Sequence, residues 1–180
     1  MKATGIVRRI DDLGRVFIPK EIRRTMRIRE GDPLEIYTEK DGEVIFKKYS
    51  PMGELNEFAL RICDSMYKTT GTISAVTDRD GVIAVAGAAK RELLDKPVSA
   101  QLAQLMERRA AYCHEKGGAD VPVTGNDEKY RVTVAAPVIS EGDVMGCVLF
   151  VNGAEGATSG EVENKLAQTI ANFLGKQMES

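Results

Sequence analysis

The first fifty residues constrain the fold most, because short apolar runs alternate there with arginines and stop at a break around Pro51 and Gly53. A unit of roughly 50 residues buries too little apolar surface to be stable alone unless a metal, a disulfide or a second chain stabilises it. This segment contains neither cysteine nor histidine. We therefore expect residues 1–52 to form an obligate dimer, followed by a second domain over residues 53–180.

The pattern before the break predicts a small, β-rich domain with one short helix. Pro19 suits the first turn of that helix, where its missing N–H would have no partner, and Gly31-Asp32 is expected to end it. Asp41-Gly42 is a hairpin signal between two alternating runs. The predicted strands are Gly5–Ile10, Arg15–Ile18, Leu34–Tyr37 and Val44–Phe46.

Charge is divided unevenly along the chain. Residues 1–50 carry 12 Lys and Arg against 9 Asp and Glu, a net charge of +3, within a chain whose total is −2. The remainder is therefore acidic, at −5. A basic N-terminal segment followed by an acidic remainder indicates an anionic partner for the N-terminal segment alone. The alternative is that these charges only solvate the surface.

The composition favours a globular protein rather than a disordered or membrane-embedded one, with 43% apolar and 29% charged residues. No apolar run approaches the roughly 20 residues needed to span a bilayer, and the first residues resemble no signal peptide. We expect a cytoplasmic protein without a membrane partner. Its cysteines, Cys63, Cys113 and Cys147, are far apart and are expected to be reduced.

Beyond the break, the spacing of apolar residues predicts an α+β domain in which helices flank an antiparallel sheet. Ser99 is a candidate helix cap, and Thr158 with Glu161 forms a candidate capping box. The polar stretch Glu115–Lys129 is predicted to be a loop. The predicted helices and strands begin with Leu55–Met66, Ile73–Thr77 and Val82–Ala86, and end with Tyr130–Val138, Val144–Val151 and Val162–Leu174.

One segment carries a specific family resemblance. Asp11–Arg24 reads D-x-L-G-R-V-x-I-P-x-E-I-R-R, and residues 4–49 as a whole resemble the swapped-hairpin DNA-binding domain of the AbrB-like transition-state regulators. In that family two chains interleave so that their strands complete one sheet, which agrees with the expected obligate dimer. Phe17 stands where an aliphatic residue is expected.

The resemblance implies that double-stranded DNA is the partner and that arginines on the strands and the short helix contact it. Carried onto this sequence, these are Arg8, Arg15, Arg23 and Arg24. Arginine suits the role because its guanidinium stays charged and binds phosphate or guanine through two parallel hydrogen bonds. The alternative for Arg23 and Arg24 is a solvated helix face.

Residues 53–180 resemble a GAF-type sensory domain through their order of elements, and this makes the chain most similar to the sporulation regulators of the family. The resemblance implies a domain that receives a signal and pairs dimers into tetramers. A ligand would lie between the sheet and the Glu115–Lys129 loop, but its identity is unknown. A small-molecule ligand and a purely oligomeric role are both open, with the helices at Leu55–Tyr67 and Val162–Leu174 as expected dimer contacts.

The resemblance thus implies a sequence-specific transcriptional regulator that activates some sporulation genes and represses others, at the nucleoid of the forespore. We expect no enzymatic activity, no cofactor and no metal site, because zinc-type ligand spacing and phosphate-binding loops are missing from the sequence. His114 beside Cys113 is not by itself a catalytic pair. Two alternatives are an antitoxin and autorepressor of the same DNA-binding family, and a nucleotide-acting enzyme built on the C-terminal domain.

Overall fold

A computed structural model describes residues 4–88, 90–125, 129–153 and 158–179. The chain divides into two compact units, residues 1–49 and residues 50–180, called here the N-terminal and C-terminal units. The described helices are α1 (Lys20–Thr25), α2 (Pro51–Glu54), α3 (Asn56–Thr70), α4 (Lys90–Leu93), α5 (Ala100–Glu107) and α6 (Glu161–Gln177). The described strands are β1 (Leu34–Thr38), β2 (Val44–Lys48), β3 (Ile73–Asp78), β4 (Val82–Ala86), β5 (Tyr112–Cys113), β6 (Arg131–Ser140) and β7 (Asp143–Asn152).

Strands β1 and β2 of the N-terminal unit form the antiparallel hairpin that the Asp-Gly pair predicts. Ile36 lies opposite Phe46 in the register. The Glu39 N–H donates to the Glu43 carbonyl at 3.0 Å, and Gly42 has a φ of 84°. Glycine adopts this left-handed conformation without the steric cost of a side chain.

The two strands predicted before α1 are not strands in the structure. Between residues 5–10 and 15–18 a turn forms, in which the Asp11 N–H donates to the Arg15 carbonyl at 3.0 Å. Helix α1 follows Pro19 directly and ends at Thr25, earlier than the predicted end at Gly31-Asp32. A strand requires a neighbour for its N–H and C=O groups, and among the described residues the backbone groups of these segments pair with each other only at their turn.

The described part of the N-terminal unit has almost no interior. Pro19 is its only residue that is buried as a whole, whereas Val7, Leu13 and Phe17 are 88%, 70% and 65% exposed. One chain therefore provides many apolar side chains and no core to hold them. The large exposed apolar residues of this unit are Ile6, Val7, Ile10, Leu13, Val16, Phe17, Met26, Ile36, Tyr37, Val44 and Phe46.

The C-terminal unit is built on a five-stranded antiparallel sheet with the order β4-β3-β7-β6-β5. Strand β7 is central, as its uninterrupted apolar run indicates. Helices α3 and α6 pack on one face, and α4 and α5 cover the other. This arrangement confirms the predicted α+β class with helices on both sides of the sheet.

Helix α6 starts later than the predicted capping box implies. It begins after Gly160, whose N–H donates to the Glu163 carboxylate at 3.0 Å, so the predicted Thr158–Glu161 capping box is wrong. Its buried residues are small or at the helix end, namely Ala167, Ala171, Leu174 and Gly175. A side chain at Gly175 would overlap the Ile139 carbonyl. The close approach of α6 to β6 thus leaves no room for a side chain at position 175.

The unburied apolar surface of the N-terminal unit leads to a prediction about its association. Residues 1–53 expressed alone should sediment as a folded dimer, because a second chain would cover the exposed apolar side chains. The melting temperature of this fragment should rise with protein concentration, as it does for any fold that requires two chains. A stable, folded monomer in analytical ultracentrifugation would contradict the prediction.

Candidate nucleic-acid interface

The four predicted DNA-contacting arginines lie on two elements of the N-terminal unit. Arg8 and Arg15 flank the turn at residues 11–14, and Arg23 and Arg24 occupy the last turn of α1. Arg8, Arg15 and Arg24 are exposed, whereas Arg23 is half-buried. In the described residues, no hydrogen bond or ion pair joins the first pair of arginines to the second.

Arg8 is held against the unexpected aromatic residue of the motif. Its guanidinium carbon lies 5.9 Å from the centre of the Phe17 ring. A cation over an aromatic face contributes about 0.5–1 kcal/mol at an exposed site. Because Arg8 precedes the turn and Phe17 follows it, this contact also joins the two segments on either side of the turn. Phe17 thus supports the cation in a way that an aliphatic side chain would not.

Arg15 is the one member of the set that has an acidic partner. Its Nε donates to the Asp11 Oδ2 atom at 2.8 Å, while 71% of the Arg15 side chain remains exposed. The Arg15 backbone N–H and guanidinium together lower the pKa of the Asp11 carboxyl. In the described residues, Arg8, Arg23 and Arg24 form no ion pair. Their charges remain available to an anionic partner.

Helix α1 presents Arg23 and Arg24 next to an abrupt end. The Ile28 N–H donates to the Arg23 carbonyl at 2.8 Å, and Arg27 has a left-handed φ of 54°. Cations in the last helical turn are favoured by the negative end of the helix dipole. The Nε of Arg23 is buried and has no hydrogen-bond partner among the described residues. An acceptor supplied by another molecule would relieve the cost of that unpaired donor.

A buried ion pair fixes the chain directly after α1. The Asp32 side chain is 2% exposed, and its Oδ2 lies 3.2 Å from the Lys48 Nζ on β2. The same carboxylate accepts from the Arg29 N–H at 2.8 Å, and Lys48 also donates to the Arg27 carbonyl at 3.0 Å. These bonds tie the end of α1 to the hairpin. Sequence reasoning missed this role, although an Asp after Gly31 at the end of a helical pattern was a usable signal.

The histidine and the cysteines of the C-terminal unit do not form a reactive group. The ring of His114 is buried, with Nδ1 3.1 Å from the Tyr112 hydroxyl and Nε2 3.5 Å from the Asp120 carboxylate. Burial raises the pKa of the Cys113 thiol, and raises that of Cys63 to about 12. Such thiols are poor nucleophiles near neutral pH. The described ranges contain no cluster of three or more His, Cys, Asp or Glu that could hold a metal ion.

Core side chains lie on the face of the sheet where a ligand is predicted. Leu93 of α4, Leu102 of α5 and Val123 of the Glu115–Lys129 loop are fully buried on that face of the sheet. Residues 126–128 of the loop lie outside the described part of the chain. A separate, apolar cleft of about 270 Å³ lies between α3 and α6. Among the described helices, none is both long and apolar enough to cross a bilayer.

The chain matches two protein-family models, one for each unit. A model described as stage V sporulation protein T C-terminal, transcription factor, matches residues 54–179. A model described as antidote-toxin recognition MazE, bacterial antitoxin, matches residues 7–53.

Individual relatives agree with this division. Stage V sporulation protein T of Bacillus subtilis (strain 168) is 49% identical over 179 residues, which is 99% of each chain. The transition state regulatory protein AbrB of the same organism is 61% identical over 51 residues, covering 28% of this chain and 52% of AbrB. These matches confirm the AbrB-like resemblance of the first fifty residues.

A solved structure supports the fold of the C-terminal unit. The GAF domain of a phosphoenolpyruvate-protein phosphotransferase from Coxiella burnetii superposes with a TM-score of 0.55 at 13% identity. The match covers 69% of this chain and 82% of that domain. At such low identity the likeness concerns the fold alone, and it confirms the predicted GAF-like architecture.

The absence of ion pairs at Arg23 and Arg24 among the described residues leads to a prediction about DNA affinity. Replacing Arg23 and Arg24 together by alanine should abolish detectable binding to target DNA and leave the oligomer intact. Each lost bidentate contact costs about 1–3 kcal/mol. The matched control is Arg108→Ala with Arg109→Ala, which removes two adjacent cations from the C-terminal unit. Mobility-shift and sedimentation assays would measure both properties, and undiminished affinity would exclude these residues from the interface.

Proposed function

The chain belongs to the stage V sporulation protein T family, and we propose that it is a transcription factor that activates some sporulation genes and represses others by binding specific DNA sites. The observation that carries the proposal is the 49% identity to the Bacillus subtilis protein along 99% of both chains. The relative is matched across both units, so the whole architecture supports the same function. We place the protein in the cytoplasm, at the nucleoid of the forespore.

DNA binding is assigned to residues 1–52 as an obligate dimer. Three of the four proposed contact residues, Arg8, Arg23 and Arg24, have no ion-pair partner among the described residues. The unpaired Nε of Arg23 also needs an acceptor. A phosphate oxygen, a base edge or a group of the second chain would supply it. Dimerisation doubles the number of contact arginines and supports recognition of DNA with two-fold symmetry.

Residues 53–180 are proposed to join two such dimers into a tetramer. Val162 and Phe173 of α6 are 68% and 43% exposed, and the Phe173 ring centre lies 5.9 Å from that of Phe58 on α3. The cleft between these helices is apolar, with Leu166 and Ile170 in its lining. A second copy of the same surface would cover it. Linking two DNA-binding dimers then raises affinity through effective concentration without any new DNA contact.

A small-molecule signal at the GAF-like domain is the second candidate for its role. The core residues Leu93, Leu102 and Val123 lie on the face of the sheet where a ligand is predicted, so a ligand that enters among them would require rearrangement of core side chains. Association of a second chain with the exposed apolar surface of α3 and α6 needs no such rearrangement. We therefore rank oligomerisation before ligand binding.

The antitoxin alternative is less well supported than a transcription factor. The antitoxin model matches residues 7–53, which are the proposed DNA-binding part. An antitoxin typically wraps its toxin with a segment that is disordered before binding, whereas residues 50–180 form a packed sheet and helices. We likewise propose no enzymatic role. The described residues bring together no nucleophile, base and orienting group that would suggest one.

Genome-wide mapping of bound DNA, followed by affinity measurement on a selected duplex, tests the proposed function. We expect enrichment upstream of sporulation genes. The logarithm of the binding constant should fall with the logarithm of the salt concentration with a slope of about −5, the value for about six phosphate contacts. The corresponding slope for a protein with the single substitution Arg24→Ala should be shallower. Failure to enrich any sequence from the genome or from a random pool would contradict the proposal.

A single charge should separate the tetramer from the dimer. Phe173→Glu should reduce the assembly to a dimer because an ionised carboxylate is unfavourable in an apolar interface. Asn172→Glu adds the same charge at the neighbouring, exposed position and is the matched control. Multi-angle light scattering would measure the assembly mass. An unchanged mass for Phe173→Glu would exclude this surface from the interface.

A further inference from the structure

The turn before the motif glycine is organised by one carboxylate. Asp11 Oδ1 accepts the backbone N–H of Leu13 at 3.0 Å and that of Arg15 at 2.7 Å. The Asp11 backbone donates to the Arg15 carbonyl at 3.0 Å and accepts from the Gly14 N–H at 3.1 Å. Gly14 has a φ of 77°, which suits glycine in a tight turn. Asp11 therefore determines the backbone path on which Arg15 lies.

The same carboxylate also orients the Arg15 guanidinium. Its second oxygen, Oδ2, accepts from the Arg15 Nε at 2.8 Å. A guanidinium has five N–H donors in a fixed plane, and a bond to Nε leaves the four of the two terminal nitrogens. Among the described residues, those terminal nitrogens form no hydrogen bond. The outer, forked edge of Arg15 is thus held in place and remains available.

We propose that Asp11 is a positioning residue for DNA recognition, which holds Arg15 so that its forked edge reaches a base edge or phosphate in a fixed orientation. The inference rests on the proposed DNA-binding function and deepens it, because it assigns a recognition role to an acidic residue. An arginine that is oriented before binding loses less side-chain freedom when the contact forms. Its preferred direction also discriminates between correctly and incorrectly placed acceptors.

Charge alone would give the opposite expectation for Asp11. A carboxylate beside a DNA-contacting arginine repels phosphate, so removing it should tighten binding to any DNA. The neighbouring Asp12 provides the comparison, because it is exposed and makes no hydrogen bond or ion pair among the described residues. The lowered pKa of Asp11 means that its carboxylate stays ionised at neutral pH and keeps its bond to Arg15. Positioning and repulsion therefore predict opposite effects.

Asp11→Asn separates these two effects within the full-length chain. The asparagine Oδ1 can still accept the two backbone N–H groups, so the turn is preserved. Its amide donor would face the Arg15 Nε donor, and the orienting bond would be lost. On a duplex selected from a random pool by the unsubstituted protein, affinity should fall about tenfold, the lower part of the range for one bidentate contact. On a scrambled duplex of the same composition, affinity should stay equal or increase.

Asp12→Asn is the matched control because it removes the same charge one position away. Its affinity for both duplexes should be unchanged or slightly higher. A double-mutant cycle supplies a measurement that a purely structural role would not alter. Arg15→Ala should weaken binding to the selected duplex much less in the Asp11→Asn background than in the original one.

The possible outcomes distinguish this inference from the proposed function. If the unsubstituted protein selects no duplex, the proposed function fails. If it does, and Asp11→Asn binds the selected duplex as tightly as Asp12→Asn does, the positioning role is excluded. If Asp11→Asn does not fold, Arg15→Lys provides the test, because lysine keeps the charge without the forked edge. Arg15→Lys should then lose about as much affinity as Arg15→Ala, and full affinity would overturn the inference.

Discussion

The stability of the N-terminal unit depends on the burial of its apolar surface, and one chain alone cannot bury enough of it. Val7, Leu13 and Phe17 remain exposed in a segment whose only buried described residue is Pro19. Hydrogen bonding shows the same deficit, since the backbone groups of residues 5–10 and 15–18 pair with each other only at their turn among the described residues. A second chain that adds strands and side chains would correct both defects together. The dimerisation expected of an AbrB-like domain therefore follows from the interior that a single chain lacks.

Much of the architecture could be predicted because its signals are local and repetitive. The Asp41-Gly42 turn, the apolar run of β7 and the Ser99 cap all follow from short patterns, and the structure contains each. The motif at Asp11–Arg24 is by itself enough to indicate the family. The short elements α4 and β5 were missed because four or two residues are too few to show a period.

The remaining errors have a tertiary origin. Periodicity identified α6 but not the close fit between Gly175 and Ile139, which depends on a neighbouring strand. Sequence reasoning named the arginines of the candidate interface but not the groups that hold them. Phe17 beside Arg8 and Asp32 beside Lys48 became evident only from their contacts in the structure. Residue types indicate which cations can bind, whereas packing determines which of them are held in one orientation.

The nearly empty interior of the N-terminal unit has a consequence for gene control. If two chains must associate before that unit folds, the concentration of folded N-terminal units rises with the square of the chain concentration when the protein is scarce. A twofold increase in synthesis would then yield about four times as many folded N-terminal units in that regime. Unassembled chains would expose an unfolded segment to proteases, which would steepen the response further. The missing core would thus make the supply of folded DNA-binding units depend more steeply than linearly on expression.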